Sequence, residues 1–218
     1  MATKPVLYSY FRSSASWRVR IVLALKGIDY EYKSVNLVKD GGQQNTEEYK
    51  AINPMGQVPA FVIGDTALTQ SLAIIDYLED THPEPSITPK DPIKKAKARA
   101  LAEVICSGTQ PMTNASVSNV LFKGDLDKRP EWSRQWIEKG FTAYEKMVQE
   151  TVGKYSVGDD ITIADICLVP QLYNAKRFKV DLSKFPTVMK IVDTCSQHPA
   201  FKAADPSAQP DCPEDLKK

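Results

Sequence analysis

Val6-Leu7-Tyr8-Ser9-Tyr10, then Arg12-Ser13-Ser14-Ala15-Ser16-Trp17-Arg18-Val19-Arg20, then Ile21 to Leu25 and Gly27, is the stretch from which the fold is read. The first five residues are a short β-rich run. Arg12-Ser13-Ser14 is a polar turn. After it Trp17, Ile21, Val22 and Leu25 recur at helical spacing until Gly27 stops the pattern. Strand, turn and helix follow one another without spare residues. Outward from there, Tyr30 to Val35 reads as a second strand and Gln44 to Tyr49 as a short helix. Val58 to Ile63 and Ala67 to Thr69 read as two strands joined at Gly64-Asp65, and a helix starts at Ser71 and runs through Leu72, Ile75 and Leu78. The order βαβ, α, ββα fits a small four-stranded sheet covered by helices.

Past His82 the texture changes. A connector rich in proline, Pro83 to Pro89, leads to Asp91-Pro92, with Asp as helix N-cap and Pro in the first turn. Beyond it strand alternation is lost: Leu101, Val104 and Ile105 share one helix face, and Ile137, Phe141, Tyr144 and Val148 share another. Thr162, with Asp165 three residues later, reads as a capping box, and Ile161 and Ile166 stand where a hydrophobic staple needs them. The expected organisation is an α/β domain over residues 1–82, a linker at 83–90, and an all-helical domain over 91–218 that ends in an irregular tail around Pro206, Pro210 and Pro213.

With 218 residues, and roughly 150 per domain as the prior, two unequal domains are expected. A chain of this size buries about 70% of its unfolded surface, so its core needs neither metal nor disulfide. The 28 basic and 27 acidic side chains leave a net charge of +1, too little to gather nucleic acid or an anionic membrane. Residues 1–80 hold 8 basic and 9 acidic side chains, leaving 20 and 18 for the rest, so neither part is polarised. Lys90, Lys94, Lys95, Lys97 and Arg99 read as a solvated helix face. Met1 to Pro5 carry no apolar signal region and no run approaches a membrane span. Cys106, Cys167, Cys195 and Cys212 are widely spaced, which fits free thiols in a reducing cytoplasm, and no metal-ligand spacing is present. His82 and His198 both precede proline, which suggests helix ends rather than catalysis.

Three places could carry chemistry. Main-chain N–H groups and serine hydroxyls at Arg12 to Ser16 could hold an anion such as a thiolate, or the serines could simply cap the helix. Gln70-Ser71, between a hairpin and a helix, could bind a carboxylate, or again be a plain cap. Asn53 to Pro59 is a loop dense in turn residues; a cis Val58-Pro59 bond there would leave the Val58 main chain available to an extended peptide ligand.

Together these features resemble the glutathione transferases. Residues 4–82 resemble the thioredoxin-like glutathione-binding domain of that family, and the remainder resembles its all-α second domain. Ser13 to Arg20 are similar to the signature SSCSWRVR of the zeta class, the maleylacetoacetate isomerases. Zeta-like stretches continue at Asp40 to Gln44, Asn53 to Pro59, Gln70 to Ile75, Gln110-Pro111 with Asn114 and Ser116, and Asn174 to Phe178, so the resemblance covers nearly the whole chain. It implies that Ser13, Ser14, Ala15, Ser16, Trp17 and Arg18 surround the sulfur of glutathione, with Ser13 or Ser14 donating a hydrogen bond to the thiolate. Gln44 and the Val58 main chain would hold the middle and glycyl parts, Gln70 and Ser71 the γ-glutamyl end. Gln110, Asn114 and Ser116 would close over the site, and Arg177 would bind a substrate carboxylate.

The implied reaction is the isomerisation of maleylacetoacetate to fumarylacetoacetate in phenylalanine and tyrosine breakdown. The glutathione thiolate adds to a cis double bond, rotation follows, and elimination returns the cofactor. Transfer of glutathione to small α-halo acids would use the same thiolate. A cytoplasmic homodimer without metal is implied. One departure stands out: Ala15 occupies the position of the signature's cysteine, so the protein contributes no thiol from this turn, and a disulfide-exchange role is disfavoured. The alternatives are a broad detoxifying transferase and a non-catalytic transferase-like module; the latter should have lost the thiol turn, the Gln70-Ser71 pair or Arg177.

Overall fold

The computed structural model describes residues 4–123 and 125–217. The opening residues 1–3, part of the expectation about Met1 to Pro5, lie outside the described residues. Two compact units emerge: one formed by the chain up to Pro85 together with the chain from Pro199 onward, the other by Ser86–His198.

In the first unit β1 (Val6–Ser9), β2 (Glu31–Ser34), β3 (Ala60–Ile63) and β4 (Thr66–Thr69) form one sheet in the order β2-β1-β3-β4. β1 is parallel to β2 and antiparallel to β3, with Leu7 opposite Tyr32 and Phe61. α1 (Ser14–Leu25) and α3 (Ser71–Thr81) pack on each other and bury Val19, Ile21, Val22, Leu23, Ile74, Ile75 and Leu78. The stretch read as a short helix at Gln44 to Tyr49 is split in two. A single 3-10 turn at Gln43–Asn45 gives way at Thr46, whose hydroxyl caps α2 (Glu47–Lys50).

α1 is buried on more sides than an amphipathic stripe requires, since Arg18, Val19, Arg20 and Leu23 are enclosed along with the expected face. The reason lies at the far end of the chain. The sequence pattern assigns residues 199–218 to the helical part; in the structure α9 (Pro199–Ala204) packs on α1, and the residues that follow group with the first unit. Asp211 accepts hydrogen bonds from Phe11 N, Tyr32 Oη and Ser34 Oγ, at 2.9, 2.6 and 3.1 Å. Cys212 joins the cluster of Tyr10, Phe11, Val35, Tyr49 and Val58.

Arg20, 1% exposed, is the centre of this arrangement. It donates from Nη1 to Ser9 Oγ and Tyr10 O, from Nη2 to Phe11 O and from Nε to Ala204 O, at 2.9–3.3 Å. Burial lowers the guanidinium's pKa, while Tyr32, Tyr30, Asp211 and Asp205 pull it back.

The second unit is helical: α4 (Pro92–Cys106), α5 (Ala115–Phe122), α6 (Arg129–Val148), α7 (Ile163–Arg177) and α8 (Pro186–Gln197). Asp91 caps α4 by accepting from Lys94 N at 2.8 Å. Ile137, Phe141, Tyr144 and Val148 of α6 are fully enclosed, and α7 packs against α4, α6 and α8. The capping box forms: Asp165 accepts from Thr162 N and Oγ1 and from Ser156 N at 2.8–3.0 Å. Burial raises its carboxyl pKa, against these hydrogen bonds.

Replacing Arg20 by Met removes the guanidinium donor from the Phe11 and Ala204 carbonyls and leaves the Tyr10 carbonyl with its bond from Ser13 N alone. The expected loss is about 3–5 kcal/mol of unfolding free energy, read as a lower urea midpoint. Asp165→Ala is expected to cost about 2–4 kcal/mol through the lost cap and the stranded Ser156 and Thr162 N–H groups. A midpoint unchanged in either variant contradicts the role given to that side chain.

Candidate active site

The polar turn of the first unit is built by its own caps. Ser13 is the N-cap of α1 and its Oγ accepts from Ser16 N at 3.2 Å. A hydroxyl that accepts from the main chain keeps its O–H, so Ser13 can still donate. Ser14, in the first turn of α1, is 8% exposed. The capping reading of this turn is therefore true, and it leaves the anion-holding reading intact.

Behind the turn, Arg18 is 2% exposed and its Nη1 donates to Ser71 Oγ at 3.2 Å. This bond joins the turn to the start of α3. Arg18 Nε, Arg18 Nη2, Ser16 Oγ and Gln44 Oε1 are buried and have no hydrogen-bond partner among the described residues. Buried polar atoms of native proteins are nearly always satisfied. These four atoms belong to residues expected around glutathione, although buried polar atoms of Ser133 and Gln171 in the helical unit share the same condition; the Arg18 nitrogens are the charged donors of the group and suit a carboxylate.

Gln70 precedes α3 with φ +69°, in the left-handed region. A non-glycine residue is held there only where its surroundings over-determine it, as at ligand clamps. Its side chain makes no capping bond, so it is free of the plain capping role considered from the sequence. Gln44 lies in the turn after Gly42, whose φ is +91°; a Cβ at Gly42 would collide with the Gln44 amide. The Gln44 carbonyl meets the Asn53 to Val58 loop at Gly56. Tyr49 Oη and Asn53 Nδ2 both donate to Gln57 O, at 2.7 and 2.6 Å, and fix that loop. The Val58-Pro59 peptide is cis. The Val58 side chain belongs to the cluster with Tyr10 and Phe11.

The second unit holds the remaining candidates. Gln110 Nε2 donates to Asn114 Oδ1 at 2.6 Å, across the turn that precedes α5, and Ser116 is exposed in the first turn of that helix. Trp132 Nε1 anchors the same turn by donating to Met112 O at 2.7 Å. Arg177 ends α7, its guanidinium carbon 5.3 Å from the centre of the Phe178 ring. It lines a cavity of about 540 Å³ with Arg129, Pro130, Arg134, Phe178 and Lys179. The structure thus brings Ser13, Ser14, Ala15, Ser16, Trp17, Arg18 and Ser71 together in the first unit and places Gln44 beside the Val58 loop. In the second unit Gln110 and Asn114 are joined by their hydrogen bond, and Arg177 lines the cavity with Arg129 and Phe178.

Arg129, Arg134 and Lys179 were not legible as site residues. The available signal was Lys128-Arg129 at the start of a helix, where acids are the favoured residues. His82 and His198 stand at the ends of α3 and α8. Among the described residues no cluster of metal-binding side chains occurs, and no helix is long and apolar enough to cross a membrane.

Comparison with known proteins gives a consistent family. Residues 7–86 match the glutathione S-transferase N-terminal domain, and residues 113–203 match the C-terminal domain. Maleylacetoacetate isomerase of Mus musculus is 52% identical over 216 residues, covering 99% of each chain. The maleylacetoacetate isomerase of Anaeromyxobacter dehalogenans, solved with glutathione in its active site, is 44% identical with a TM-score of 0.88, covering 98% of this chain and 100% of that one. A bacterial zeta-class maleyl pyruvate isomerase is 38% identical with a TM-score of 0.91, covering 95% and 100%.

Arg18→Lys keeps a charge but loses the planar fork that spans Ser71 and the unsatisfied positions around it. Glutathione affinity measured by calorimetry is expected to fall about tenfold, or ~1.4 kcal/mol. Equal affinity in the two proteins removes Arg18 from the binding set.

Proposed function

We propose, from the premise that this chain belongs to the glutathione S-transferase family and to its zeta class, that it is a glutathione-dependent isomerase converting maleylacetoacetate to fumarylacetoacetate. The observation that carries this reading is the buried Arg18–Ser71 bond, with two further guanidinium nitrogens unsatisfied beside the serine turn. Glutathione is the cofactor, and when bound it supplies the sulfur nucleophile whose reversible addition allows rotation about the substrate's double bond.

The chain's own residues bind, orient and hold charge. Ser13 or Ser14 donates a hydrogen bond to the thiolate, and the start of α1 adds its partial positive charge. A thiol with a free pKa of about 8.5 is mostly protonated at pH 7, and each unit of depression represents ~1.4 kcal/mol of anion stabilisation. Gln44 and the Val58 main chain hold the middle and glycyl parts of the tripeptide, and Gln70 and Ser71 hold its γ-glutamyl end. On the helical unit Gln110, Asn114 and Ser116 make polar contacts with the tripeptide. Arg177 receives a substrate carboxylate and fixes the double bond for attack, which is an orientation effect more than a chemical one. Small α-halo acids are accepted as side substrates, because displacement of halide needs the same thiolate and the same carboxylate anchor.

The enzyme works in phenylalanine and tyrosine breakdown in the cytoplasm, a location supported by its free cysteines. It acts as a homodimer with isologous contacts, by analogy with the family.

Steady-state kinetics with glutathione, comparing maleylacetoacetate with a halogenated acid, test the reading directly: negligible isomerisation sinks it. Ser13→Ala and Ser14→Ala separate the two hydroxyls. Loss of the hydroxyl that touches sulfur raises the bound thiol's pKa, so the thiolate fraction falls at pH 7 and recovers near pH 9. The expected rate loss is about tenfold to a hundredfold at pH 7 and shrinks as the pH rises. A profile parallel to wild type at every pH denies that serine the role.

A further inference from the structure

We propose that Arg129 is a second carboxylate-binding residue beside Arg177, and that the pair makes the helical unit selective for dicarboxylates over monocarboxylates. The inference rests on the isomerase reading for the place of Arg177 and adds to it a residue and a substrate-discriminating function.

Four observations converge on Arg129. First, both guanidinium groups are arrayed on one ring: the Arg129 and Arg177 carbons lie 6.0 and 5.3 Å from the centre of Phe178. Two like charges held beside one ring repel each other, and an anion bound between them is attracted by both. Second, both line the same cavity of about 540 Å³, within the size range of small-ligand sites, where Phe178 and Pro130 supply apolar walls that strengthen charge–charge attraction.

Third, Arg129 is the first residue of α6, an end that favours negative charge, and the N-cap residue Lys128 provides no capping hydrogen bond. The acid of that first turn, Glu131, is engaged by Arg134. The field of the helix end and the Arg129 guanidinium therefore both favour an anion. Fourth, Lys179 holds φ +57° just after α7, a position where glycine would sit without strain, and contributes another cation to the same cavity.

The division of labour follows from chemistry. One guanidinium fork binds one carboxylate in bidentate fashion. A linear diacid with its reacting double bond between two carboxylates is held at both ends by two forks. A monoacid uses one of them and gains nothing from the other.

The test is the ratio of kcat/KM for maleylacetoacetate to that for dichloroacetate, in the full-length enzyme with saturating glutathione. Arg129→Gln is expected to lower this ratio about tenfold. Lys139→Gln, which removes the same charge from the same helix away from the cavity, leaves the ratio as in wild type. An unchanged ratio in Arg129→Gln, or an equal fall in Lys139→Gln, overturns the proposal. Should Arg129→Gln fail to fold, Arg129→Lys decides, with an expected fall of about threefold and no change as the contrary result. Calorimetry with glutarate against butyrate provides a readout that survives failure of the isomerase reading. Wild type should prefer glutarate and Arg129→Gln should lose that preference; equal preference in the two proteins overturns the inference even if isomerisation is intact.

Discussion

The structure depends on one buried cation. Where the chain leaves β1 and enters α1, Tyr10 and Phe11 are buried, the Tyr10 carbonyl accepts the turn bond from Ser13 N, and buried carbonyls short of donors are costly. Arg20 reaches back from the second turn of α1 and satisfies both, with Ser9 Oγ and Ala204 O as further acceptors. Four acceptors on a planar group fix the turn, the helix and α9 relative to one another within the first unit. The serine turn is held rigid because the residues on either side of it are pinned by the same guanidinium. Without that pin, Ser13 and Ser14 would present their hydroxyls from an ordinary mobile loop.

Arg18, one turn face away on the same helix, is the opposite case. Its charge is just as deeply enclosed, yet among the described residues it satisfies only one nitrogen through a hydrogen bond, to Ser71. Burying a guanidinium costs several kcal/mol unless its donors are used. The two remaining nitrogens are what the proposed function assigns to an anionic group of glutathione. The two arginines thus differ in how many hydrogen-bond partners the described residues supply: four acceptors for Arg20 and one for Arg18.

Much of this was legible in the chain. Periodicity found α3 and the enclosed face of α6, because those elements bury an apolar stripe at helical spacing, and it found one face of α1, whose other sides are covered by the distant α9. The capping box at Thr162 and Asp165 was legible because all its parts lie within four residues. What local pattern could not show was the return of Pro199 to Cys212 to the first unit. That packing depends on Asp211 meeting Phe11, Tyr32 and Ser34 across most of the chain's length, and an aspartate between two prolines carries no mark of distant partners. The serine turn, Gln70-Ser71 and Asn53 to Pro59 stood out as turn chemistry, and only their assembly made them a site. Arg129 escaped notice because it reads as one more surface cation until Phe178 is seen to hold it beside Arg177.

The return of the tail also bears on the missing thiol. With Ala15 in the turn, the cysteine that the fold places in the first unit is Cys212. It is 5% exposed, packed with Tyr10, Phe11, Val35, Tyr49 and Val58, and desolvation pushes its thiol pKa up. A thiol in such surroundings stays protonated and serves as a small apolar side chain, since nucleophilic and exchange chemistry need the thiolate. The turn that stabilises negative charge and the cysteine of the same unit are therefore uncoupled: the charge-holding groups have no sulfur of their own, and the sulfur has no charge-holding groups. On the proposed reading, a thiolate held at Ser13 or Ser14 sits on a sulfur that arrives with glutathione, which makes the absence of a cysteine at position 15 compatible with isomerase chemistry and unfavourable to disulfide exchange.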